Sequence, residues 1–310
     1  MWFKQIQLYQ LKKPLTYNPQ QLAEQLSALS FHPCLPSLPN SSGWVAPVDK
    51  EGAPLVHGAN GHMMICLQIE EKILPATVVR QQVDEKVKVL EAEYERRIRN
   101  KEKQQLKDDI IQTLLPRAFS KLTRIYAYFD IPNQWLVVNA VSHSKIEPLL
   151  SALKKTTGIE LSGFELKKPM PIMTQWLLHD TCPKSLSIEK NGVLQDPNQE
   201  NRVIRCKQQS LHAESICGLL KDGCQVKQLA FTWHEHISFN LHDDFTLRGI
   251  RFNDTVLAEA EDIESESPEQ KFDADFIIMV ETLKALIQEL LGYFLVEGSA
   301  TLPAAAHETA

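Results

Sequence analysis

The sequence has no apolar segment long enough to cross a membrane. Near the C-terminus, its longest uninterrupted apolar run is FIIMV, residues 276–280, far below the roughly 20 residues that a spanning helix needs. The opening residues alternate between polar and apolar types, without the continuous apolar core or the cleavage site of a secretory signal. We therefore expect a cytoplasmic protein with no membrane partner.

Clustered cysteines are also lacking. The six cysteines are scattered through the chain, at Cys34, Cys66, Cys182, Cys206, Cys217 and Cys224. Without an export signal, reduced thiols are expected. His234 and His236 fall on one side of a predicted strand and could share a metal ion. No cysteine or carboxylate stands at a familiar ligand spacing from them, so we expect no metal site and favour a polar sheet surface.

Common catalytic and nucleotide-binding motifs are missing. The chain contains no GxxxxGK[ST], GxGxxG, GxSxG or HExxH pattern. Active sites can also be built from scattered residues, so this absence lowers the expectation of an enzyme without excluding one. The sequence favours a protein without a catalytic site or cofactor.

Charge is present but unevenly distributed. The whole chain has 33 basic and 39 acidic residues, a net charge of −6. Residues 251–310 contain 13 acids and 3 bases, a net of −10, which leaves +4 on residues 1–250. Such asymmetry indicates an electrostatic partner, with nucleic acid as the first candidate.

A long segment without glycine predicts a protruding helical element. Apolar residues recur at helical spacing, at Val79, Val83, Val87, Leu90, Tyr94 and Ile98. This pattern predicts a helix over residues 77–99, roughly 35 Å long. A second stripe, Leu106, Ile110 and Leu114, predicts either a helical hairpin or one long kinked helix.

The densest basic segment lies within this element. Residues 96–103 (RRIRNKEK) contain five bases and one acid, and residues 72–124 contain 13 bases and 8 acids. One interpretation is a solvated helix face in which Glu95 pairs with Arg99. The other is a phosphate-binding surface, which would be sequence-independent because no base-reading motif accompanies it.

The remaining patterns predict an α+β fold with antiparallel sheets. Strands are expected at residues 2–9, 62–69, 124–129, 134–141, 201–208, 225–241 and 246–252, and Asn18 is expected to cap a helix. Residues 254–270 read as an acidic connector. Ser267 and Pro268 open a helix of about 27 residues that is apolar around most of its circumference, which fits either a core helix or a dimer interface.

Several segments then resemble the bacterial recombination-associated RdgC family. They are residues 70–75 (EEKILP), 114–120 (LLPRAFS), 203–205 (VIR) and 271–276 (KFDADF), together with Trp2-Phe3-Lys4 and the Leu229, Ala230 and Trp233 strand. These segments occur in the family's order and spacing from end to end. They identify a family but show no reaction.

The resemblance implies a nucleoid-associated protein that binds duplex DNA without sequence specificity and restrains RecA-driven strand exchange, with single-stranded DNA left open as a second ligand. It also implies a horseshoe-shaped protomer and a ring-shaped homodimer that encircles DNA. The DNA-binding residues expected on this basis are Arg96, Arg97, Arg99, Lys101, Lys103, Arg117, Lys121, Arg205 and Lys207. Gln208 stands where the family often has a second lysine. This difference weakens the expectation that the segment with Arg205 and Lys207 binds phosphate strongly.

Dimer contacts are expected at two places. The gate, at the end of the helical element, would use Pro116 and Phe119, with Phe119 as the aromatic anchor. The base would use Phe276, Leu283, Ile287 and Leu290 of the C-terminal helix. Acidic residues from Asp254 onward would lie at the outer rim.

Four parts of the chain are expected. Residues 1–74 plus 121–165 would form a central α+β domain, residues 75–120 a helical tip, and residues 166–297 a base domain with the dimerisation helix. Residues 298–310 would form a disordered tail. The alternative function is a protein–protein adaptor that contacts recombination or replication proteins through its acidic C-terminal region. A nuclease is a third possibility.

Overall fold

In a computed structural model of the chain, residues 1–263 and 267–296 can be described, except for the side chains of residues 200 and 201. The first half contains β1 (Gln5–Leu11), α1 (Pro19–Ser27), β2 (Asn40–Val45), β3 (Val56–Ala59), β4 (His62–Lys72), α2 (Ala76–Tyr94), α3 (Asn100–Leu114), β5 (Ser120–Asp130), β6 (Trp135–Val138) and α4 (His143–Thr157). The second half contains β7 (Leu161–Ser162), α5 (Pro169–His179), β8 (Leu186–Asp196), β9 (Gln199–Cys206), α6 (Glu214–Lys221), β10 (Gln225–Trp233), β11 (Ile237–His242), β12 (Leu247–Phe252), α7 (Asp254–Glu261) and α8 (Pro268–Phe294).

The strands form one antiparallel sheet in the order β2-β4-β5-β6-β1-β12-β11-β10-β8-β9, with β3 beside β4 and β7 beside β1. Strand β1 joins the two halves of this sheet. Its first residues, Gln5 and Ile6, pair with β12, and its later residues, from Gln7, pair with β6. The predicted α+β class with antiparallel strands is confirmed, with a single continuous sheet.

Two hydrophobic clusters lie on opposite faces of the sheet. The first runs along one face of both halves and includes Tyr128, Phe231 and, from α8, Leu283. The second lies on the opposite face of the first half, where Leu22 of α1 and Leu149 of α4 cover it. The same face of strands β8–β12 has no covering helix in the described part of the chain. We call it the open sheet face.

Capping side chains begin two of the predicted helices. The Asn18 side chain accepts a hydrogen bond from the Gln21 N–H at 2.8 Å, and the Gln21 side chain accepts one from the Asn18 N–H at 3.0 Å. The Ser267 side chain accepts one from the Gln270 N–H at 3.3 Å. These bonds satisfy N–H groups that have no partner within the helix, and both predicted starts are confirmed.

The helical element is a hairpin of two helices. Of the two predicted alternatives, the hairpin is confirmed and the single long kinked helix is not. The predicted extension of the first helix to residue 99 is wrong, because α2 ends at Tyr94. Glu95 has a φ of 51°, in the left-handed region, and this reverses the direction of the chain.

The strand predicted over residues 225–241 is a hairpin instead. Strand β10 ends at Trp233 and β11 begins at Ile237, while His234 and Glu235 have φ angles of 43° and 58°. His234 and His236 therefore lie in a turn and do not share a strand face. Their alternation with apolar residues resembled the pattern of one continuous strand, because a tight turn does not interrupt such an alternation in the sequence.

Several further elements were not expected from the sequence, among them the short strands β3 and β7. Helix α5 and strand β8 occupy a region in which the sequence indicated no element, and α7 lies inside the predicted acidic connector. Val256 and Ala260 of α7 are buried, so tertiary packing stabilises this short, acidic helix. The predicted tail, residues 298–310, lies outside the described residues.

Helix α8 is a core helix, which corrects one expectation. Its 27 residues match the predicted length. However, Phe276, Leu283, Ile287 and Leu290, expected at the dimer base, are at most 1% exposed within a single chain. They pack against the protomer's own sheet, so their side chains have no surface with which to contact a partner.

Candidate nucleic-acid interface

The α2–α3 hairpin stands at the end of the β4–β5 ladder. The last pair of this ladder joins Lys72 to Ser120, and the Ile73 N–H donates to the Phe119 carbonyl at 2.7 Å. Helix α2 has 19 residues, so at about 1.5 Å per residue its far end lies roughly 28 Å from its start near the sheet. The predicted basic segment occupies that far end.

A small apolar seam holds the hairpin together. Val79 and Val87 of α2 and Ile110 of α3 are buried, and so is Ile98 in the connection. The Ile98 N–H also donates to a Glu91 side-chain oxygen at 2.9 Å. The connection between the helices is thus fixed to α2 by both an apolar and a polar contact.

Arg96 is engaged within the hairpin. Its two terminal nitrogens donate to the two carboxylate oxygens of Glu102 at 3.0 and 2.7 Å, and the guanidinium lies 5.8 Å from the centre of the Tyr94 ring. The Arg96 hydrogen bonds and the Arg99 N–H lower the pKa of Glu102 to about 2. Glu102 therefore compensates the charge of Arg96, and the pairing expected between Glu95 and Arg99 is absent in the described chain.

Four other cations at this end have no such partner. Arg97, Arg99, Lys101 and Lys103 are exposed, and within the described residues none of their side chains forms an ion pair. We call these four residues the tip cluster. They surround the start of α3, where unpaired N–H groups add partial positive charge. The tip cluster is therefore a compact, accessible cationic surface.

The other predicted DNA-binding residues lie elsewhere. Arg117, in a 3₁₀ turn, and Lys121, opposite Glu71 in the β4–β5 ladder, are exposed at the base of the hairpin. Arg205 and Lys207 are exposed at β9, the opposite edge of the sheet from β2. The structure thus separates the nine predicted residues into three groups.

Phe119 is the most exposed large apolar residue of the described chain. Its side chain is 85% exposed, and the neighbouring Ile73 is 50% exposed. Pro116 is exposed in the preceding turn. A rigidly held backbone with an exposed aromatic ring is the type of feature found at protein interfaces.

The acidic C-terminal region is partly neutralised inside the molecule. On α8, Glu269 contacts Lys50 at 2.9 Å, and the hydrogen bond from Lys50 contributes most to lowering the pKa of Glu269 to about 2. Asp273 contacts His57 at 3.1 Å and Glu281 contacts His62 at 3.3 Å. Sequence reasoning missed these contacts because the partners are more than 200 residues apart.

Neither a metal-binding cluster nor a membrane-spanning helix is present in the described residues. Residues 1–263 and 267–296 contain no group of three or more His, Cys, Asp or Glu side chains arranged to hold a metal ion. In the same residues, no helix is both long and apolar enough to traverse a lipid bilayer.

Comparison with known proteins places the chain in a family. A family model described as "Putative exonuclease, RdgC" matches residues 1–297. The recombination-associated protein RdgC of Aeromonas hydrophila is 38% identical over 292 residues, which cover 94% of this chain and 96% of that protein. This chain belongs to the RdgC family. RdgC of Yersinia pestis is 36% identical over 293 residues, covering 94% of this chain and 97% of that protein.

Family membership agrees with the segments that carried the resemblance. The match covers almost the full length of these RdgC relatives, so it includes the sheet, the hairpin and α8. The family description and the relatives' names differ in what they imply. The family model's description mentions an exonuclease, whereas both relatives are named for an association with recombination.

Proposed function

We propose that this RdgC-family chain binds duplex DNA without sequence specificity, encircles it as a ring-shaped homodimer of horseshoe-shaped protomers, and restrains RecA-mediated strand exchange at the nucleoid. The tip cluster is the observation that carries the DNA-binding part of this proposal. Four exposed cations that form no ion pair in the described residues suit the phosphate backbone, which carries no sequence information. Arg117 and Lys121 provide further exposed cations at the base of the hairpin.

The homodimer part rests on Phe119. An aromatic ring that is 85% exposed on a fixed backbone becomes favourable when a second protomer buries it. In a closed ring, topology retains the DNA in addition to binding affinity. A modest number of cations therefore suffices. A ring on the duplex would then obstruct the RecA filament. The relatives' names support the link to recombination.

The decisive measurement is duplex affinity as a function of salt concentration. Each phosphate contact contributes about −0.9 to the slope of log K against log salt. Replacing the tip cluster, Arg97, Arg99, Lys101 and Lys103, with glutamine should reduce the slope's magnitude by up to about 3.6 for each protomer that contacts DNA. A matched control replaces four exposed lysines elsewhere with glutamine, at Lys12, Lys13, Lys154 and Lys155.

The control variant has the same net charge as the tip variant but should retain most of the slope. Equal losses in both variants would show that overall charge, and not the tip cluster, governs binding. A wild-type slope near zero, or a strong preference for one sequence, would contradict the proposal of sequence-independent DNA binding.

A nuclease is the second candidate, because the family description includes the word exonuclease. Incubation of labelled linear duplex with the protein and Mg²⁺ tests it directly, with EDTA as the control. We expect intact DNA in both samples. Shortening that requires Mg²⁺ would establish the nuclease.

The adaptor alternative would use the acidic C-terminal region. The internal contacts of Glu269, Asp273 and Glu281 reduce the acidic surface that is free for a partner. Deleting residues 96–103 discriminates between the two proposals. Loss of both DNA binding and inhibition of strand exchange supports the DNA-binding proposal, while inhibition that persists without DNA binding supports the adaptor.

A further inference from the structure

The open sheet face consists of hydrogen-bonding side chains. The Thr232 hydroxyl donates to a Glu189 carboxylate oxygen at 2.9 Å and lies 3.0 Å from the Ser238 hydroxyl. The Gln228 amide donates to the Asn240 side chain at 3.0 Å. These residues occupy neighbouring strands on the side away from Phe231 and the rest of the core. The face is therefore polar and ordered by its own hydrogen bonds.

Two arginines project from this face without an acidic partner. Arg251 pairs in register with Ser238, and Arg205 pairs with Val193, which itself pairs with Gln228. Because directly paired residues point to the same side of a sheet, both guanidinium groups belong to the open face. Both are exposed, and neither forms an ion pair among residues 1–263 and 267–296.

The same two strands carry arginines that are paired. Arg202 of β9 contacts Asp196 at 3.4 Å, and Arg248 of β12 contacts Asp244 at 3.0 Å. Each strand thus contains one compensated and one uncompensated guanidinium. Whether an arginine is compensated therefore depends on its local contacts and not on the composition of its strand.

We propose that the open sheet face is a second nucleic-acid surface, on which Arg205 and Arg251 bind the sugar–phosphate backbone of duplex DNA. This inference rests on the proposed DNA-binding function and adds to it a site outside the hairpin and a preferred form of DNA. Arginine, serine, threonine, asparagine and glutamine are the side chains that contact phosphates most readily, and they make up most of this face.

The spacing of the two arginines fits two separate backbone contacts. Strands β9 and β12 are four strand spacings apart in the sheet order, or about 19 Å at roughly 4.8 Å per spacing. That distance is several times the axial rise of about 3.4 Å per nucleotide in one strand. The two guanidinium groups therefore contact different phosphates and fix the orientation of the duplex on the sheet.

The face favours duplex over single-stranded DNA. Proteins that hold single strands without sequence preference usually stack bases on aromatic rings. Within the described residues, the exposed aromatic side chains are Tyr94 and Phe119, both in or beside the hairpin. The open sheet face thus offers backbone contacts without a stacking platform, and unstacked bases gain little from it.

One acid opposes the proposed contact. The Glu189 carboxylate lies in the shallow groove that also includes Asn191, Asn240 and Arg251. It repels phosphate, although its bond to Thr232 holds it in place. Replacing Glu189 with glutamine keeps a hydrogen-bond acceptor for Thr232 and removes the repulsion, so duplex affinity should rise severalfold.

The test compares two double variants of equal charge in the full-length protein. One is Arg205→Gln with Arg251→Gln, and the other is Arg202→Gln with Arg248→Gln. Binding to a random duplex and to a single strand of equal length is measured over a series of salt concentrations. In the first variant, the magnitude of the duplex slope should fall by about 1.8 for each protomer that contacts DNA, while the second variant should stay close to wild type.

The first variant should also reduce the preference for duplex over single strand. Equal slopes in the two variants would overturn the inference, and so would a first variant that binds duplex as wild type does. A changed solution mass with an unchanged slope would assign the face to a second copy of the chain and also overturn it. The tip-cluster variant keeps the two proposals apart, because its loss of slope supports DNA binding whatever the open sheet face does.

Discussion

At the scale of single residues, partners decide which cations are available. Arg96 and Arg97 are adjacent and chemically identical, yet Glu102 compensates Arg96 while Arg97 has no ion-pair partner in the described chain. The bidentate geometry fixes the guanidinium of Arg96 as well as its charge. The count of five bases in residues 96–103 therefore overstates the number of cations that are free to contact a binding partner.

Phe119 provides the residue-scale prediction. Phe119→Ser should leave the free energy of unfolding within about 0.5 kcal/mol of wild type, because the ring is 85% exposed and makes few contacts to lose. Retention on closed circular duplex after a salt challenge should fall, while binding to short linear duplex changes less. Val89→Ser, at a side chain that is 64% exposed on the same hairpin, is the control. Unchanged retention on circles would argue against the gate.

At the scale of elements, α8 connects the two halves of the sheet. Its N-terminal half contacts the first half, where Phe276 lies 6.2 Å from Tyr128 between ring centres. Its C-terminal half contacts the second, where the Trp233 indole N–H donates to Glu289 at 2.7 Å. The Tyr293 hydroxyl donates to the same carboxylate at 2.8 Å, and Ser185 is a third donor. A helix in this position holds the two halves of the sheet together. Because it is in contact with both halves, most of its sides are buried and apolar.

Glu289 provides the element-scale prediction. Burial alone would raise its pKa, but the hydrogen bonds from Ser185, Trp233 and Tyr293 outweigh burial and keep the pKa below its usual value of 4.5. Because the folded-state pKa is lower than the unfolded one, this carboxylate stabilises the fold above about pH 4.5 and loses its contribution as the pH falls through the folded-state pKa. Glu289→Gln should reduce stability at pH 7 by about 1–2 kcal/mol.

Urea unfolding at pH 7, 5 and 3.5 checks this prediction. The difference between wild type and Glu289→Gln should shrink as the pH falls. Glu261→Gln, at an exposed position of α7, should differ little from wild type at any of these pH values. A difference for Glu289→Gln that stays constant with pH would contradict the assigned role of the carboxylate.

At the scale of the whole molecule, charge distribution matters more than net charge. The chain as a whole has a net charge of −6, which by itself argues against DNA binding. The structure places uncompensated cations at the hairpin end and on the open sheet face, while several acids of α8 contact Lys50, His57 and His62. An acidic protein can therefore present cationic surfaces to a duplex.

Solution mass provides the prediction for the whole molecule. The chain has a mass of 35.3 kDa, so a ring dimer should have a mass of about 71 kDa without DNA, and that mass plus the mass of the duplex when DNA is bound. Dimerisation in the absence of DNA is expected because the gate contact involves protein surfaces alone. A monomer under both conditions would remove the ring mechanism while leaving the tip cluster available for simple binding.

The sequence by itself determined the local elements and the family. The Asn18 and Ser267 caps and the length of α8 follow from short-range patterns, and these predictions are confirmed. Local signals also predicted the basic segment of residues 96–103. They failed at the turn of residues 234–236 and at α5 and α7, where positive φ angles and tertiary packing outweigh local preference.

Only the tertiary structure decided which residues are free to act. It enclosed Phe276, Leu283, Ile287 and Leu290 in the core, neutralised Arg96 through Glu102, and left Arg205 and Arg251 uncompensated on the open sheet face. Burial and ion pairing depend on partners far apart in sequence, as for His57 and Asp273, which are 216 positions apart. Composition and periodicity carry no information on such pairs, so only the folded chain shows which charges are free of an internal partner.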